Sequence, residues 1–244
     1  MPTDLFDISN LRAKNYYSLI FSMVEYLRTN KFRPGDRLPQ ETVLATHFHT
    51  NRSTLREMLR VLEVMGIIDS KRGSGNIFLG NMEIGFMNMF LLGSFLYDGK
   101  PYEFGHLRAI IEVEAIASFL ENASDADIYK LEIIYTDQME HIQDKNSKEY
   151  LDGHLKFHNH LMKYYNSEAG KQIVRSNLRL MQRDYESVLM NDNTIGSARK
   201  AEIMEKMSAN CHAAILNAVK KRDVMLSKQL MMNHALMSSR RDVD

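Results

Sequence analysis

The chain has 244 residues, of which 44% are apolar and 25% charged, with 31 Lys and Arg against 31 Asp and Glu. That is the mix of a soluble globular protein, long enough for two domains of ordinary size or one large one. The single cysteine, Cys211, excludes an intrachain disulfide, and the acid-bearing stretch Met1–Asn10 lacks the apolar core of a signal peptide.

Charge is spread unevenly. Residues 1–80 hold 11 Lys and Arg against 8 Asp and Glu, which leaves 20 against 23 in the remainder. A basic end joined to an acidic one suits a nucleic-acid module on a partner domain that does not bind nucleic acid. Seventeen Met and no Trp suit helical cores filled by a flexible side chain.

In chain order, Tyr16, Ile20, Met23 and Leu27 recur at steps of four, three and four, which lays them on one face of a first helix. Pro34-Gly35-Asp36 ends it as a turn. A short helix is predicted over about 41–48 and a longer one from about Arg52 to Met65, with Gly66 where a helix end favours positive φ. Leu55, Leu59 and Leu62 point to the core side of that helix. Ile67–Ser70 and Asn76–Leu79 read as two short strands joined by the glycine-rich turn Lys71–Gly75. Three helices and a hairpin are the layout of a winged helix-turn-helix.

Beyond residue 80 the strand signals stop. Helices are predicted at about 83–97, 102–122, 124–144, 147–165, 168–190, 197–221 and 223–238. Ser124 with Asp127 has the form of a capping box, and Asp223 that of a helix N-cap. The apolar run Ile84–Tyr97, interrupted by Asn88 and Gly93, falls short of the ~20 residues of a membrane span, so a cytoplasmic protein with no membrane partner is expected. The expected fold is mainly α. A winged helix-turn-helix occupies 1–80, a connector helix 81–100, an all-α bundle 101–238 and a frayed tail 239–244.

Two groups of residues carry chemistry. Arg52 and Arg56, four apart, share a face near the start of the longer helix, where guanidinium forks meet guanine O6 and N7. Asn51, Ser53 and Thr54 are short polar groups suited to phosphate or to capping. Spacing alone also allows a solvated helix face. His154 and His158, four apart, turn their rings the same way, as two metal ligands on one helix must; His212 and His234 lie on the last two helices. By itself the pair equally suits hydrogen-bonded histidines of a core or surface. Asp152 and Cys211 lie about 200° and 100° around their helices from His154 and His212, so neither reads as a ligand. His47, His49, His106, His141 and His160 read as structural or solvated. The stripe Arg175, Arg179, Arg183 is either a solvated charged face or the lining of an anion pocket.

Pro34-Gly35-Asp36-Arg37-Leu38-Pro39-Gln40-Glu41, then Asn51-Arg52-Ser53-Thr54-Leu55-Arg56-Glu57, then Leu62-Glu63-Val64-Met65-Gly66 and Arg72-Gly73-Ser74-Gly75, resemble the gluconate-repressor (GntR) family of bacterial regulators, from about Tyr17 to Leu79. The resemblance implies operator duplex as partner. Asn51, Arg52, Ser53, Thr54 and Arg56 then act at the recognition helix, and Arg72 and Gly73 at a wing tip entering the minor groove. Thr42 departs from the pattern, since family members commonly carry a DNA-contacting Arg there.

His154-x-x-Phe157-His158, Asn166, His212-x-x-Ile215-x-x-Ala218, Asp223 and His234, with Arg108-x-x-x-Glu112, resemble the FCD ligand-binding domain of the fatty-acid-regulator-like branch, over about Phe104 to Leu236. That implies a divalent cation on His154, His158, His212 and His234, with Arg108 holding the far end of a small organic or sugar acid. The family usually has Asp at the place of His154. Four neutral imidazoles leave the ion's +2 charge uncompensated and suit a transition metal, Zn first with Ni or Fe as alternatives, over Mg or Ca. A decayed metal site is the other consequence of losing the Asp. The implied function is a repressor of bacterial carbon or organic-acid metabolism, acting as a homodimer. A metal-free regulator with a larger apolar effector is one alternative. A helical-bundle metal enzyme is the other, which the lack of a His-Glu-x-x-His general base disfavours.

Overall fold

The computed structural model describes residues 14–71, 75–96, 103–143, 147–191 and 195–237. Along them run α1 (Lys14–Thr29), α2 (Glu41–His47), α3 (Arg52–Val64), β1 (Ile68–Lys71), β2 (Gly75–Phe78), α4 (Glu83–Leu96), α5 (Glu103–Asn122), α6 (Asp125–Gln143), α7 (Ser147–Leu161), α8 (Glu168–Asn191), α9 (Ile195–Lys220) and α10 (Val224–Met237). The mainly α class stands. The chain forms two compact units, Met1–Asn88 and Met89–Asp244, so the division falls inside α4.

In the first unit, Leu19, Met23 and Leu27 of α1 pack with Leu44 of α2, Leu55, Met58, Leu59 and Leu62 of α3 and Ile68 of β1. Each such burial is worth roughly 1.5–3 kcal/mol, which is what holds three short helices together. Asn51 caps α3, its Oδ1 accepting the Thr54 N–H at 2.9 Å. The other end closes with the Gly66 N–H donating to Glu63 O and the Ile67 N–H to Leu62 O, both at 2.9 Å, with Gly66 at φ 71°. Because Ile67 is committed to that helix end, β1 starts one residue later than the sequence pattern suggests. It pairs antiparallel with β2 from Ile68↔Phe78 to Lys71↔Gly75.

In the second unit, Ile116, Phe119 and Leu120 of α5 meet Leu131 of α6, Phe157 and Leu161 of α7, Ile215, Leu216 and Val219 of α9 and Met231 of α10. A smaller cluster of Ala115, Met162, Val174 and Leu178 adds α8. The capping box is present: the Ser124 N–H donates to Asp127 Oδ2 at 3.0 Å and the Asp127 N–H to Ser124 Oγ at 3.2 Å. Asp223 likewise caps α10 through the Leu226 N–H at 3.0 Å. α7 stops at Leu161 rather than near 165, because Lys163 and Tyr165 bond three residues back and tighten the chain. Lys163 and Tyr164 then both reach the Asp127 carboxylate, fastening the end of α7 to the start of α6. Among the described residues no helix is long and apolar enough to cross a membrane.

Candidate nucleic-acid interface and candidate metal centre

The first unit presents an open cleft of about 950 Å³ between the start of α3 and the hairpin, lined among others by Arg37, Gln40, Arg52, Arg56, Ser70 and Asn76. Arg52 and Arg56 are both exposed there, as their spacing predicts, while Leu55, Leu59 and Leu62 face the core. Ser53 is exposed and Thr54 half-buried beside them. Asn51 spends its side-chain oxygen on the cap, which settles its first task. Arg72 and Gly73 lie outside the described residues.

Two residues of this face, Glu41 and Arg37, belong to the motif in the sequence but have contacts that only the structure shows. Arg56 Nε donates to Glu41 Oε2 at 2.7 Å, across fifteen residues of chain. The bond uses the Nε edge and leaves both terminal nitrogens of the fork for a partner. Arg37 stands at the other rim, where its backbone bridges to Ile77 beside the hairpin. Neither is visible in helical periodicity, because both depend on how the hairpin and α2 fold back on α3.

In the second unit the four predicted histidines meet. Their ligand atoms lie within 4.8 Å of one another, with His158, His212 and His234 buried and His154 half-buried. Nε2 of His158 stands 3.1 Å from that of His234, and Nε2 of His212 is 3.2 Å from each. His212 is stacked flat on Phe157, ring centroids 4.1 Å apart, which fixes its plane. His154 stacks over His212 at 4.7 Å, and its Nδ1 faces Ser208 Oγ at 3.2 Å.

Neighbouring groups settle two of the tautomers. His158 Nδ1 lies 2.7 Å from Glu112 Oε1, a close contact without hydrogen-bond geometry. Arg108 Nη2 lies 3.3 Å from His158 Nε2; a guanidinium only donates, so Nε2 presents its lone pair. His212 Nδ1 donates to Gln138 Oε1 at 2.9 Å, which leaves its Nε2 a lone pair as well. Two lone pairs 3.2 Å apart repel unless a cation, or a proton on the neighbouring His234 Nε2, offsets them. Nitrogens about 2.1 Å from one ion stand roughly 3.0–3.4 Å apart, so the spacing, the tautomers and the buried carboxylate and amide behind the rings all fit a bound metal.

Electrostatics agree. Burial first, and then the cost of charging one imidazole beside the others and beside Arg108, push all four well below their ordinary pKa, which keeps them neutral and able to ligate. Burial raises Glu112 against the pull of Arg108, whose Nε donates to Glu112 Oε2 at 2.9 Å. Arg108 is wholly buried, and its ion pair with the equally buried Glu112 is what makes a guanidinium tolerable there.

The remaining histidines and arginines take bland roles. His160 bonds the Asp127 carbonyl at 2.8 Å. Arg175 pairs with Glu168 at 2.7 Å, and Arg179 and Arg183 are exposed, which favours the solvated face for that stripe. Cys211 is half-buried and outside the cluster.

A winged helix-turn-helix unit followed by a helical bundle with a buried polyhistidine cluster is a two-part architecture. Comparison with known proteins agrees: the FCD domain family matches residues 103–236, more than half of the chain, and the family of bacterial regulatory proteins called gntR matches residues 21–77. The chain belongs to the GntR family, in its FCD-domain branch. It is 25% identical over 107 residues to the HTH-type transcriptional regulator LutR of Bacillus subtilis, which covers 43% of this chain and only about half (48%) of LutR. It is 20% identical over 227 residues to the galactonate operon transcriptional repressor of Escherichia coli, covering 91% of this chain and 94% of that one. Among solved structures, Streptococcus agalactiae GntR shares the fold with a TM-score of 0.65 at 20% identity, covering 93% of this chain and all of its own.

Proposed function

We propose that this protein is a repressor whose hold on operator DNA is set by a small organic or sugar acid bound at a divalent transition metal in the His154, His158, His212 and His234 centre. The observation that carries this reading is the convergence of three Nε2 atoms at 3.1–3.2 Å with a carboxylate and an amide behind them. When bound, the metal supplies Lewis-acid positions for an anionic oxygen; zinc is the first choice, nickel or iron the next. His158 and His212 offer lone pairs at Nε2, while Gln138 holds the His212 ring in place and Glu112 lies close behind His158. Arg108 holds the other end of the acid. Its Nε is taken by Glu112 and its Nη2 lies 3.3 Å from His158 Nε2, while Nη1 faces the Met181 sulfur, a weak acceptor at 3.1 Å, so Nη1 is the nitrogen best placed to turn to a carboxylate. That a relative matched over nearly its whole length is named for galactonate, a sugar acid, supports this class of effector.

On the DNA side, Asn51, Arg52, Ser53, Thr54 and Arg56 serve the recognition helix, and Arg72 and Gly73 the wing tip. The DNA module spans 1–80, a connector 81–100 and the effector domain 101–238. The protein acts in the cytoplasm as a homodimer on paired half-sites, because one recognition helix reads too few base pairs for useful specificity. The test combines elemental analysis of the purified protein with a thermal-shift screen of sugar and hydroxy acids, before and after chelation, and a gel shift on duplex selected from a random-sequence pool. Bound metal, an acid-induced shift lost on chelation and acid-sensitive duplex binding are the expected results. A protein that purifies and stays metal-free in excess zinc overturns the reading.

A further inference from the structure

The DNA-facing cleft holds a third guanidinium that no part of the functional reading uses. Arg37 lines it together with Arg52 and Arg56, is exposed, and makes no ion pair among the described residues. Glu41 is the one carboxylate of the lining, and it is already engaged by Arg56. The face therefore carries two net positive charges, one of them on Arg37.

The position of Arg37 is fixed more firmly than that of most surface arginines. Its backbone forms a bridge to Ile77, and its flanks are tied to the same strand: Leu38 N–H donates to Asn76 O and Phe78 N–H to Asp36 O, both at 2.8 Å. Arg37 thus rides on the hairpin as a short third strand. Its side chain lies over Gly75, where a Cβ would stand only 3.3 Å from Arg37 Nε and 3.4 Å from Nη2. The missing side chain is what lets the guanidinium settle flat against the base of the wing.

We propose that Arg37 is a DNA-backbone contact, clamping a phosphate at the rim of the groove that the start of α3 enters. The helix start brings Arg52 and Arg56 to base edges, whereas a residue on the hairpin flank stands beside the groove, where the phosphates run. A fork held by backbone pairing and by a glycine loses little freedom when it meets a phosphate. Phosphate contacts fix register and carry no sequence information, so Arg37 adds affinity without preference.

The test uses the full-length protein and a duplex it selects from a random-sequence pool, with a scrambled duplex beside it. Binding is followed by fluorescence anisotropy for wild type, Arg37→Ala and Arg37→Lys from roughly 50 to 200 mM salt. The Ala variant should bind both duplexes about tenfold more weakly at the low-salt end, and its slope of log K against log salt should be shallower by about 0.9 for each bound head. The Lys variant keeps the charge and should keep the slope, which also shows that the fold tolerates change at this site. An Ala variant with wild-type affinity and slope overturns the proposal. So does one that loses discrimination between the two duplexes while its slope stays unchanged, since that is the mark of a base contact.

Discussion

At the scale of single residues, the proposed metal centre turns on which nitrogen of each imidazole holds its proton. Gln138 makes that choice for His212, and on the proposed reading it is a positioning residue for a metal ligand, with Glu112 close behind His158. Gln138→Leu should weaken zinc binding roughly 10–100-fold in a competitive titration with a chelating dye, while Gln138→Glu should hold or improve it. Equal affinity in all three proteins would mean that His212 is not a ligand. The same residues set a pH dependence. Burial keeps the folded imidazoles far below the ordinary value of about 6.5, at which the unfolded chain takes up its protons. Their contribution is therefore complete above about pH 6.5 and is lost as pH falls below it. The thermal midpoint of chelated protein should drop between about pH 7.5 and 5.5, and part of that drop should vanish in His212→Gln. The sequence made the four histidines and Arg108 legible because helical spacing and motif order carried them. Gln138 and Glu41 were not legible: a glutamine in mid-helix and a glutamate in a first turn are ordinary there, and only tertiary packing brings them to their partners.

At the scale of elements, the strongest signals were those in which one residue closes one helix end. Asn51, Gly66, the Ser124–Asp127 pair and Asp223 were readable because caps are local chemistry. The shifted start of β1 and the early stop of α7 were not, because in both places the chain is claimed by a competing local bond. The caps make checkable claims. Asn51→Ala should destabilise the first unit by about 1 kcal/mol, and because it also frays the turn that presents Arg52, it should weaken duplex binding as well. Asp127 has a larger part, since the Lys163, Ser124 and Tyr164 donors all converge on its carboxylate and hold it well below the usual carboxylate range. Its contribution is present above about pH 4 and lost as pH falls further. Asp127→Asn should lower the unfolding midpoint at pH 7 and narrow its difference from wild type in acid, by far-UV circular dichroism. A gap that stays constant from neutral pH into acid would assign the loss to shape and not to charge.

At the scale of the whole molecule, the four clustered histidines come from α7, α9 and α10; α9 and α10 follow one another, and α7 joins them from more than fifty residues earlier. On the proposed reading, an acid that completes the centre would act on all three at once, and in the proposed dimer a small shift of helices would alter how well both heads meet paired half-sites. A dimer is expected by sedimentation at micromolar concentration, with or without duplex. The coupling itself is tested on operator affinity, with galactonate and related aldonates as probes, for wild type, His158→Ala and His212→Ala. Wild type should change its affinity for the selected duplex when acid is added and lose that response on chelation. The two variants should purify with little metal and show no response to the acid. Their affinity for duplex should match that of chelated wild type, because the first unit is built around its own core of α1, α2, α3 and β1. That last match separates a broken sensor from a broken protein. If both variants respond to the acid as wild type does, the histidine centre has no part in the coupling. If they lose duplex binding altogether, the two units are more dependent on each other than their separate cores imply.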